Sequence, residues 1–202
     1  HELVLLDGIG IDLGHYAPSP VPSGPPHFLL IGRLIRDKGI ANFAAAARRV
    51  KLLHPHARFT LLGGFDDSPG AIEPQQVAAW QAEGLLDYAG TTDDVRPFIR
   101  NASVFVLPSS YREGVPRSSL EALAMGRAIV TTDAPGCRET VKHGENGFLV
   151  AKHDVEGLAE ALGRFAADPT LAAKMGIASR QLAERRFDDR QVNRAIIEAM
   201  RL

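Results

Sequence analysis

Two glutamates stand on either side of a turn that could bind a phosphate. Glu113 and Gly114 precede Pro116, which is suited to the first position of a helix, so that Glu121 falls inside that helix. The backbone amides of such a helix start attract a phosphate without any metal, and the helix dipole adds to this attraction. Because carboxylates repel a phosphate that they face directly, we expect the two glutamates to accept hydrogen bonds from hydroxyls that flank it.

A nucleoside diphosphate sugar carries its hydroxyls in this arrangement. The ribose diol lies on one side of the diphosphate, and the hydroxyls of the sugar lie on the other. A carboxylate can accept hydrogen bonds from both members of a vicinal diol. The turn at 108–121 therefore predicts a site for a nucleoside diphosphate sugar.

A second turn carries cations that suit a diphosphate. Gly32 lets the backbone approach a ligand closely, and Arg33 and Lys38 can converge there as a rigid fork and a mobile point charge. Taken alone, a solvated turn with ordinary surface cations explains these residues equally well. The spacing of the glycines matches neither a P-loop nor the dinucleotide-binding fingerprint.

Two further turns follow predicted strands. Gly63 and Gly64 leave room for a phosphate or a sugar, although paired glycines are more often ordinary loop residues. In the turn that contains Gly90 and Thr92, a threonine or aspartate can cap the helix that follows. The exposed backbone before that cap could also bind the edge of a nucleobase.

The elements that must position these turns alternate along the chain. Apolar runs predict strands at 28–31, 58–62, 85–89, 104–107, 128–131 and 148–150, and helices are predicted at 39–53, 74–83, 94–101 and 118–125. Continuous apolar strands that alternate with helices imply a parallel sheet covered on both faces. We therefore predict an α/β fold, a Rossmann-like doubly wound parallel sheet of about six strands with helices on both faces. From residue 155 onward the pattern is helical only, which predicts a helical C-terminal cap.

Ligands of such sheets bind beyond the carboxyl ends of the strands. All four turns follow strands, so we expect them to share one crevice. Residues 18–26 form a proline-rich stretch that behaves as a semi-rigid spacer, and the short apolar run at 3–6 precedes it. The predicted domains are therefore a connector at 1–26 and a nucleotide-sugar-binding domain at 27–202.

Composition excludes several other classes of protein. The 202 residues carry a formal net charge of −1, so the chain as a whole does not attract nucleic acid, and we predict no nucleic-acid partner. No run approaches the roughly 18 apolar residues of a membrane span, and the N-terminus lacks a secretion-signal pattern. The single cysteine permits a reducing compartment, so we predict a cytoplasmic location.

Several isolated residues have structural explanations. The histidines at 15, 27, 54, 56, 143 and 153 lack a repeated ligand spacing, so no metal site is predicted. Cys137 is expected to fill a small apolar gap, and Trp80 is expected to pack on the core rather than stack on a ligand. For Glu139, helix capping or a buried hydrogen bond competes with ligand contact.

Read in order, these motifs resemble the retaining glycosyltransferases of family 4, which have the GT-B fold. The paired glutamates with seven residues between them are the first point of resemblance. The others follow in the same order and cover nearly the whole chain: Gly32-Arg33-Leu34, Lys38-Gly39, Glu113-Gly114-Val115-Pro116-Arg117, Leu120-Glu121-Ala122-Leu123-Ala124-Met125-Gly126, Pro135-Gly136-Cys137-Arg138-Glu139 and Gly144-Glu145-Asn146-Gly147-Phe148-Leu149-Val150.

The resemblance implies a role for each matching residue. Glu113, Arg33 and Lys38 are implied in catalysis, with the cations stabilising the charge of the leaving group in the role that a metal fills elsewhere. Transfer would be metal-independent, need no cofactor and retain the anomeric configuration, and the chain contains no Asp-x-Asp triplet. The implied donor-binding residues are Gly32, Arg33, Lys38, Gly90, Thr92, Glu113, Gly114, Val115, Pro116, Leu120 and Glu121.

The resemblance also implies partners. Such enzymes carry an N-terminal Rossmann-like domain that binds the acceptor, and this sequence lacks it, so we expect the chain alone to bind its donor weakly and to transfer little or no sugar. The implied donor is a UDP-sugar, and the implied acceptor is a glycan or a lipid-linked molecule in polysaccharide or lipopolysaccharide synthesis. Such an acceptor makes the inner face of the cytoplasmic membrane an alternative location, with peripheral association of the full-length protein.

Two alternatives remain open at this point. A sugar-nucleotide epimerase shares the architecture, although the turn from Arg33 to Lys38 and the paired glutamates fit it less well. A non-catalytic nucleotide-binding or scaffolding module is the alternative from another class. Nucleotide titration of the wild type and of the Glu121→Ala and Lys38→Ala variants separates these, because a pure scaffold binds in none of them.

Overall fold

The sheet has the predicted architecture. The computed structural model describes residues 9–112 and 114–200. Six strands, all paired in parallel, lie in the order β3-β2-β1-β4-β5-β6. They are β1 (His27–Ile31), β2 (Arg58–Leu62), β3 (Asp87–Tyr88), β4 (Val104–Leu107), β5 (Ala128–Thr132) and β6 (Gly147–Val150). The Rossmann-like prediction is confirmed, whereas the apolar run at 3–6 lies outside the described residues.

Helices cover both faces of this sheet. They are α1 (Ile40–Leu53), α2 (Pro74–Ala82), α3 (Arg96–Asn101), α4 (Arg117–Ala124), α5 (Val155–Ala167), α6 (Pro169–Arg186) and α7 (Asp189–Met200). Successive residues of each strand point to opposite faces, so Phe28 and Leu30 belong to one buried cluster and Leu29 and Ile31 to another. The first cluster packs against α1, α2 and α5, and the second against α3 and α4.

The predicted boundaries of β3 and α4 were wrong, and the helix predicted from residue 94 begins instead at Arg96. β3 contains only residues 87 and 88, because Gly84 adopts a left-handed φ of 69° and the Leu85 amide bonds to the Trp80 carbonyl, which closes the end of α2. α4 begins at Arg117, because Pro116 has an extended ψ of 126° and therefore occupies the N-cap instead of the first helical position. These errors leave the predicted turns at the same edge of the sheet.

The segment at 9–26 packs on the sheet domain. Ile11 and Tyr16 are both buried, in the same cluster as α4. The Ile11 amide donates to the Phe187 carbonyl at 2.7 Å, and the Asp189 amide donates to the Ile11 carbonyl at 3.2 Å. This segment is therefore fixed to the C-terminal helices before the chain enters β1.

Three other predictions concern single residues. Cys137 is fully buried in the α4 cluster, and Trp80 is 7% exposed in the core, as predicted for both. Glu139 is neither capping nor buried: its carboxylate lies 3.7 Å from Arg186 Nη2 and its side chain is 42% exposed. Of the helices in the described ranges, none combines the length and apolar character of a membrane span.

Candidate functional site

The four predicted turns meet at one edge of the sheet. We name them by the strand each follows: the β1 turn (32–39), the β2 turn (63–66), the β3 turn (90–94) and the β4 turn (108–116). The Leu34 amide donates to the Gly64 carbonyl, the Gly63 amide to the Gly90 carbonyl, and the Ser110 amide to the Asp37 carbonyl, at 2.8–2.9 Å. Each turn is thus hydrogen-bonded to a neighbour at the carboxyl ends of the strands. We call the surface that the four turns share the crevice.

Two glycines permit this close approach. A Cβ on Gly63, whose φ is 151°, would lie 1.8 Å from the Gly32 carbonyl oxygen. A Cβ on Gly39, whose φ is 75°, would lie 2.1 Å from the Pro108 carbonyl oxygen. Other residues would be strained in these conformations and would also push the turns apart. The two glycines therefore hold the β1 turn against the β2 and β4 turns.

The two predicted cations lie at this edge but reach different neighbours. Arg33 Nη1 lies 2.9 Å from Asp66 Oδ2, and the Arg33 side chain is 65% exposed. Hydrogen bonds from Ser68, with a smaller contribution from Arg33, lower the pKa of Asp66. The stem of Lys38 passes 3.8 Å from the site of a Cβ on Gly32, and its Nζ lies 5.9 Å from the centre of the Tyr111 ring. Lys38 thus reaches from the β1 turn to the β4 turn.

The start of α4 faces the end of the β4 turn. The Ser119 and Leu120 amides donate to the Pro116 carbonyl at 3.1 and 3.2 Å. The amides that come before them at a helix start generally have no partner within the helix. Gly114 is exposed, and Val115 packs partly against the α4 cluster. Leu120 is fully buried in that cluster, so its side chain does not enter the crevice. Any part of Leu120 in ligand binding would come from its backbone.

One polar atom in this helix start lacks a partner. Ser119 Oγ is buried, and it is the one buried side-chain oxygen or nitrogen without a hydrogen bond among residues 9–112 and 114–200. A buried hydroxyl without a partner costs about 1–3 kcal/mol. Ser119 is therefore a polar group in the first turn of α4 whose hydrogen bond remains to be supplied.

Among the charged site residues that the structure describes, Glu121 is the most completely enclosed. It is 7% exposed, and its Oε1 accepts hydrogen bonds from the Tyr16 hydroxyl at 2.9 Å and from Arg117 Nε at 3.2 Å. Burial, and then the bond to Glu121, raise the pKa of Tyr16, so the phenol stays protonated and donates at physiological pH. Sequence reasoning missed Tyr16, which lies 105 residues from Glu121 along the chain.

The β3 turn is braced by its own side chains. The Asp94 amide donates to the Thr92 hydroxyl at 3.1 Å, and Asp94 Oδ1 accepts from the Arg96 amide at 3.0 Å and from Arg96 Nε at 2.7 Å. Hydrogen bonds from Arg96 lower the pKa of Asp94 to about 2. The N-cap position of α3 itself is Val95, so Asp94 supports the first helical amide from one residue further back.

The remaining residues considered in the sequence are either outside the described residues or have structural roles. Glu113 lies outside the described residues, so its position beside a sugar stays a prediction. The His27 ring nitrogens are hydrogen-bonded to the Asn101 carbonyl and to Thr60 Oγ1, both at 2.8 Å. His27 is the first residue of β1, so it lies at the opposite end of the strand from the crevice. In the part of the chain that the structure describes, no three His, Cys, Asp or Glu side chains come together closely enough to hold a metal ion.

Comparison with known proteins identifies the family. The model of the family described as "Glycosyl transferases group 1" matches residues 25–168. The N,N'-diacetylbacillosaminyl-diphospho-undecaprenol α-1,3-N-acetylgalactosaminyltransferase of Campylobacter jejuni is 29% identical over 184 residues, 85% of this chain and 47% of that protein. The putative colanic acid biosynthesis glycosyltransferase WcaL of Escherichia coli is 27% identical over 211 residues, 96% of this chain and 50% of that protein. The chain thus spans about half the length of these curated relatives.

Solved structures have the same fold. The sucrose-phosphate synthase of Thermosynechococcus elongatus superposes with a TM-score of 0.82 at 26% identity, over 96% of this chain and 51% of that one. HepE of Anabaena, crystallised with UDP, superposes with a TM-score of 0.80 at 22% identity, over 95% of this chain and 55% of that one. The predicted resemblance to GT-B glycosyltransferases is confirmed, and the chain belongs to the group 1 glycosyl transferases.

Proposed function

We propose that this chain binds the UDP-sugar donor of a retaining, metal-independent glycosyltransferase. The proposal is carried by the crevice in which the β1, β2, β3 and β4 turns are hydrogen-bonded to one another beside the start of α4. The UDP complex of the structural relative HepE supports the choice of nucleotide. The sugar would pass to a glycan or lipid-linked acceptor, as the names of the Campylobacter and Escherichia relatives suggest for those proteins.

The cations of the β1 turn would bind the diphosphate. When the bond between the anomeric carbon and the diphosphate oxygen breaks, UDP leaves with added negative charge on its terminal phosphate. Arg33, Lys38 and the amides of Gly114 and Val115 would stabilise that charge, since hydrogen-bond donors aimed at the place where charge develops lower the energy of the transition state. The oxygen of the acceptor hydroxyl would form the new bond to the anomeric carbon, and its proton would pass to the departing phosphate oxygen of UDP.

The remaining site residues would orient the donor around this diphosphate. The Glu121 carboxylate would accept hydrogen bonds from the ribose hydroxyls. Glu113 would hold the transferred sugar with its anomeric carbon at the reaction centre. The backbone at Gly90 and Thr92 would contact the base, while Gly32 and the Leu120 backbone would line the phosphate site. The partner of this half would be an N-terminal acceptor domain, and the reaction would take place in the cytoplasm or at the inner face of its membrane.

Nucleotide titration tests the binding part of this proposal. By calorimetry we expect UDP to bind at least about 10-fold more tightly than UMP, because the second phosphate adds charge-assisted hydrogen bonds worth about 1.5–3 kcal/mol. Glu121→Ala should weaken UDP binding by about 10-fold or more, since it removes the ribose acceptor. ADP and GDP serve as controls for the base. Equal affinity for UDP and UMP would contradict a diphosphate site.

A second test concerns transfer itself. We expect this chain alone to transfer no sugar at a measurable rate, because the acceptor-binding site and part of the catalytic cleft would belong to the proposed N-terminal half. Release of UDP from a radiolabelled UDP-sugar, measured with a lipid or glycan acceptor, checks this expectation. Turnover near the roughly 1 s⁻¹ lower end of ordinary enzymes would contradict the division of labour between two domains.

A further inference from the structure

A side chain from the segment before the sheet reaches into the proposed donor site. Tyr16 is 8% exposed, and its hydroxyl donates to Glu121 Oε1 at 2.9 Å. Nothing in the assignments above gives Tyr16 a part in donor binding. The bond joins the segment at 9–26 to the first two turns of α4, the helix whose start borders the crevice.

The backbone around Tyr16 is fixed independently of this bond. The Asp12 carboxylate accepts the Gly14 and His15 amides at 2.8 and 2.9 Å, which closes a tight turn. Arg180 Nη1 donates to the Tyr16 carbonyl at 3.2 Å and to the Ala124 carbonyl, at the end of α4, at 2.8 Å. The same guanidinium therefore ties the Tyr16 backbone to α4, and the phenol is pre-positioned beside Glu121.

The two oxygens of the Glu121 carboxylate differ in the hydrogen bonds that they accept. A carboxylate offers about four acceptor positions, about two on each oxygen. Within the described ranges both hydrogen bonds to Glu121 end on Oε1, from Tyr16 and from Arg117. The other oxygen, Oε2, keeps about two acceptor positions, which matches the two hydroxyls of a vicinal diol.

We propose that Tyr16 is a positioning residue for donor binding: it holds Glu121 Oε1 so that Oε2 accepts both hydroxyls of the ribose. Arg117 alone would hold the carboxylate less firmly, because its side chain is 68% exposed and its bond is 0.3 Å longer than the 2.9 Å bond from Tyr16. The raised pKa of Tyr16 is consistent with this role, since the phenol remains a donor wherever the protein is folded at neutral pH. The inference rests on the proposed function of Glu121.

The test compares UDP with 2′,3′-dideoxy-UDP, which lacks both ribose hydroxyls. We expect Tyr16→Phe to weaken the binding of UDP by about 5-fold or more and to leave the binding of the dideoxy nucleotide unchanged within about 2-fold. Tyr88→Phe is the matched control, because Tyr88 donates to the Gly63 carbonyl at 2.9 Å instead of to a carboxylate. Its effect on the two nucleotides should be equal. Thermal unfolding of each variant checks that the fold is intact.

The outcomes separate the inference from the function on which it rests. If Glu121→Ala removes the preference for UDP over dideoxy-UDP while Tyr16→Phe keeps it, the inference is overturned and the function of Glu121 stands. If Tyr16→Phe weakens both nucleotides equally, Tyr16 is only a structural residue and the inference is again overturned. If the wild type shows no preference for UDP, or binds neither nucleotide, the proposed ribose role of Glu121 fails, and the inference fails with it.

Discussion

Replacing Arg33 and Lys38 together by alanine is expected to weaken UDP binding by about 100- to 10,000-fold. Each cation would make charge-assisted hydrogen bonds to the diphosphate worth about 1.5–3 kcal/mol, which corresponds to about 10- to 100-fold in affinity. In the free protein Arg33 is paired with Asp66, but such exposed pairs contribute only about 0–1 kcal/mol. The diphosphate should therefore displace Asp66 from Arg33 at little cost.

A matched double variant controls for the loss of two positive charges. Arg48 and Lys51 also lie on one element, α1, where they bond to Glu83 and to the Gly84 carbonyl, at the end of the helix remote from the β1 turn. Replacing both by alanine changes the net charge equally and should leave the affinity for UDP within about 2-fold, because surface charges beyond a Debye length of roughly 8 Å are largely screened. Titration calorimetry at fixed salt compares the two double variants. A similar loss in both would refute specific binding by the β1 turn.

The sheet could be predicted because its strands are short, apolar and bounded by polar turns. Leu29 and Ile31 on one face, with Phe28 and Leu30 on the other, are all buried, so the run carries no alternation and signals a strand covered on both sides. Because the strands of a parallel sheet all end on the same side, the turns could be predicted to lie together even though the order of the strands was unknown. Among the described residues, the apolar pattern was misleading where apolar residues close a helix, as Leu85 does after α2.

The connections to the segment at 9–26 could not be predicted in the same way. Proline and glycine in this stretch indicate irregular backbone, but they carry no information about the surface on which it packs. Tyr16 meets Glu121 from a segment whose Ile11 is held by Phe187 and Asp189, near the end of the chain. Contacts between residues more than 100 positions apart have no local pattern, so the second donor to Glu121 became visible only in three dimensions.

Arg127 was missed for a different reason. It stands between Gly126 and the apolar strand β5, a place where the pattern favours a buried residue and the residue type favours solvent. The structure resolves this conflict by burying the guanidinium completely and surrounding it with oxygen atoms. A lone arginine inside an otherwise apolar run is the one signal that could have indicated such an anchor.

The surroundings of Arg127 explain how a buried cation is tolerated. Its guanidinium donates to the carbonyls of Ile99, Arg100, Met125 and Gly126, which end α3 and α4 and carry the negative end of each helix dipole. It also donates to the Ser19 carbonyl and hydroxyl and to the Pro20 carbonyl, and so fixes the proline-rich stretch. Burial lowers the pKa of Arg127 to about 10, so the side chain remains charged at neutral pH.

Arg127→Met is therefore expected to lower the free energy of unfolding by about 3–5 kcal/mol, because several buried carbonyls lose their donor and each unsatisfied group costs about 1–3 kcal/mol. The free energy of unfolding of Arg127→Lys should lie between those of the wild type and Arg127→Met, since an ammonium keeps the charge but cannot donate to acceptors in so many directions. Arg58→Met, at the exposed start of β2, is the matched control and should change stability by less than about 0.5 kcal/mol. Urea unfolding at pH 7 measures all three. A loss below about 1 kcal/mol for Arg127→Met would mean that water replaces the guanidinium and that the proline-rich stretch is held by other contacts.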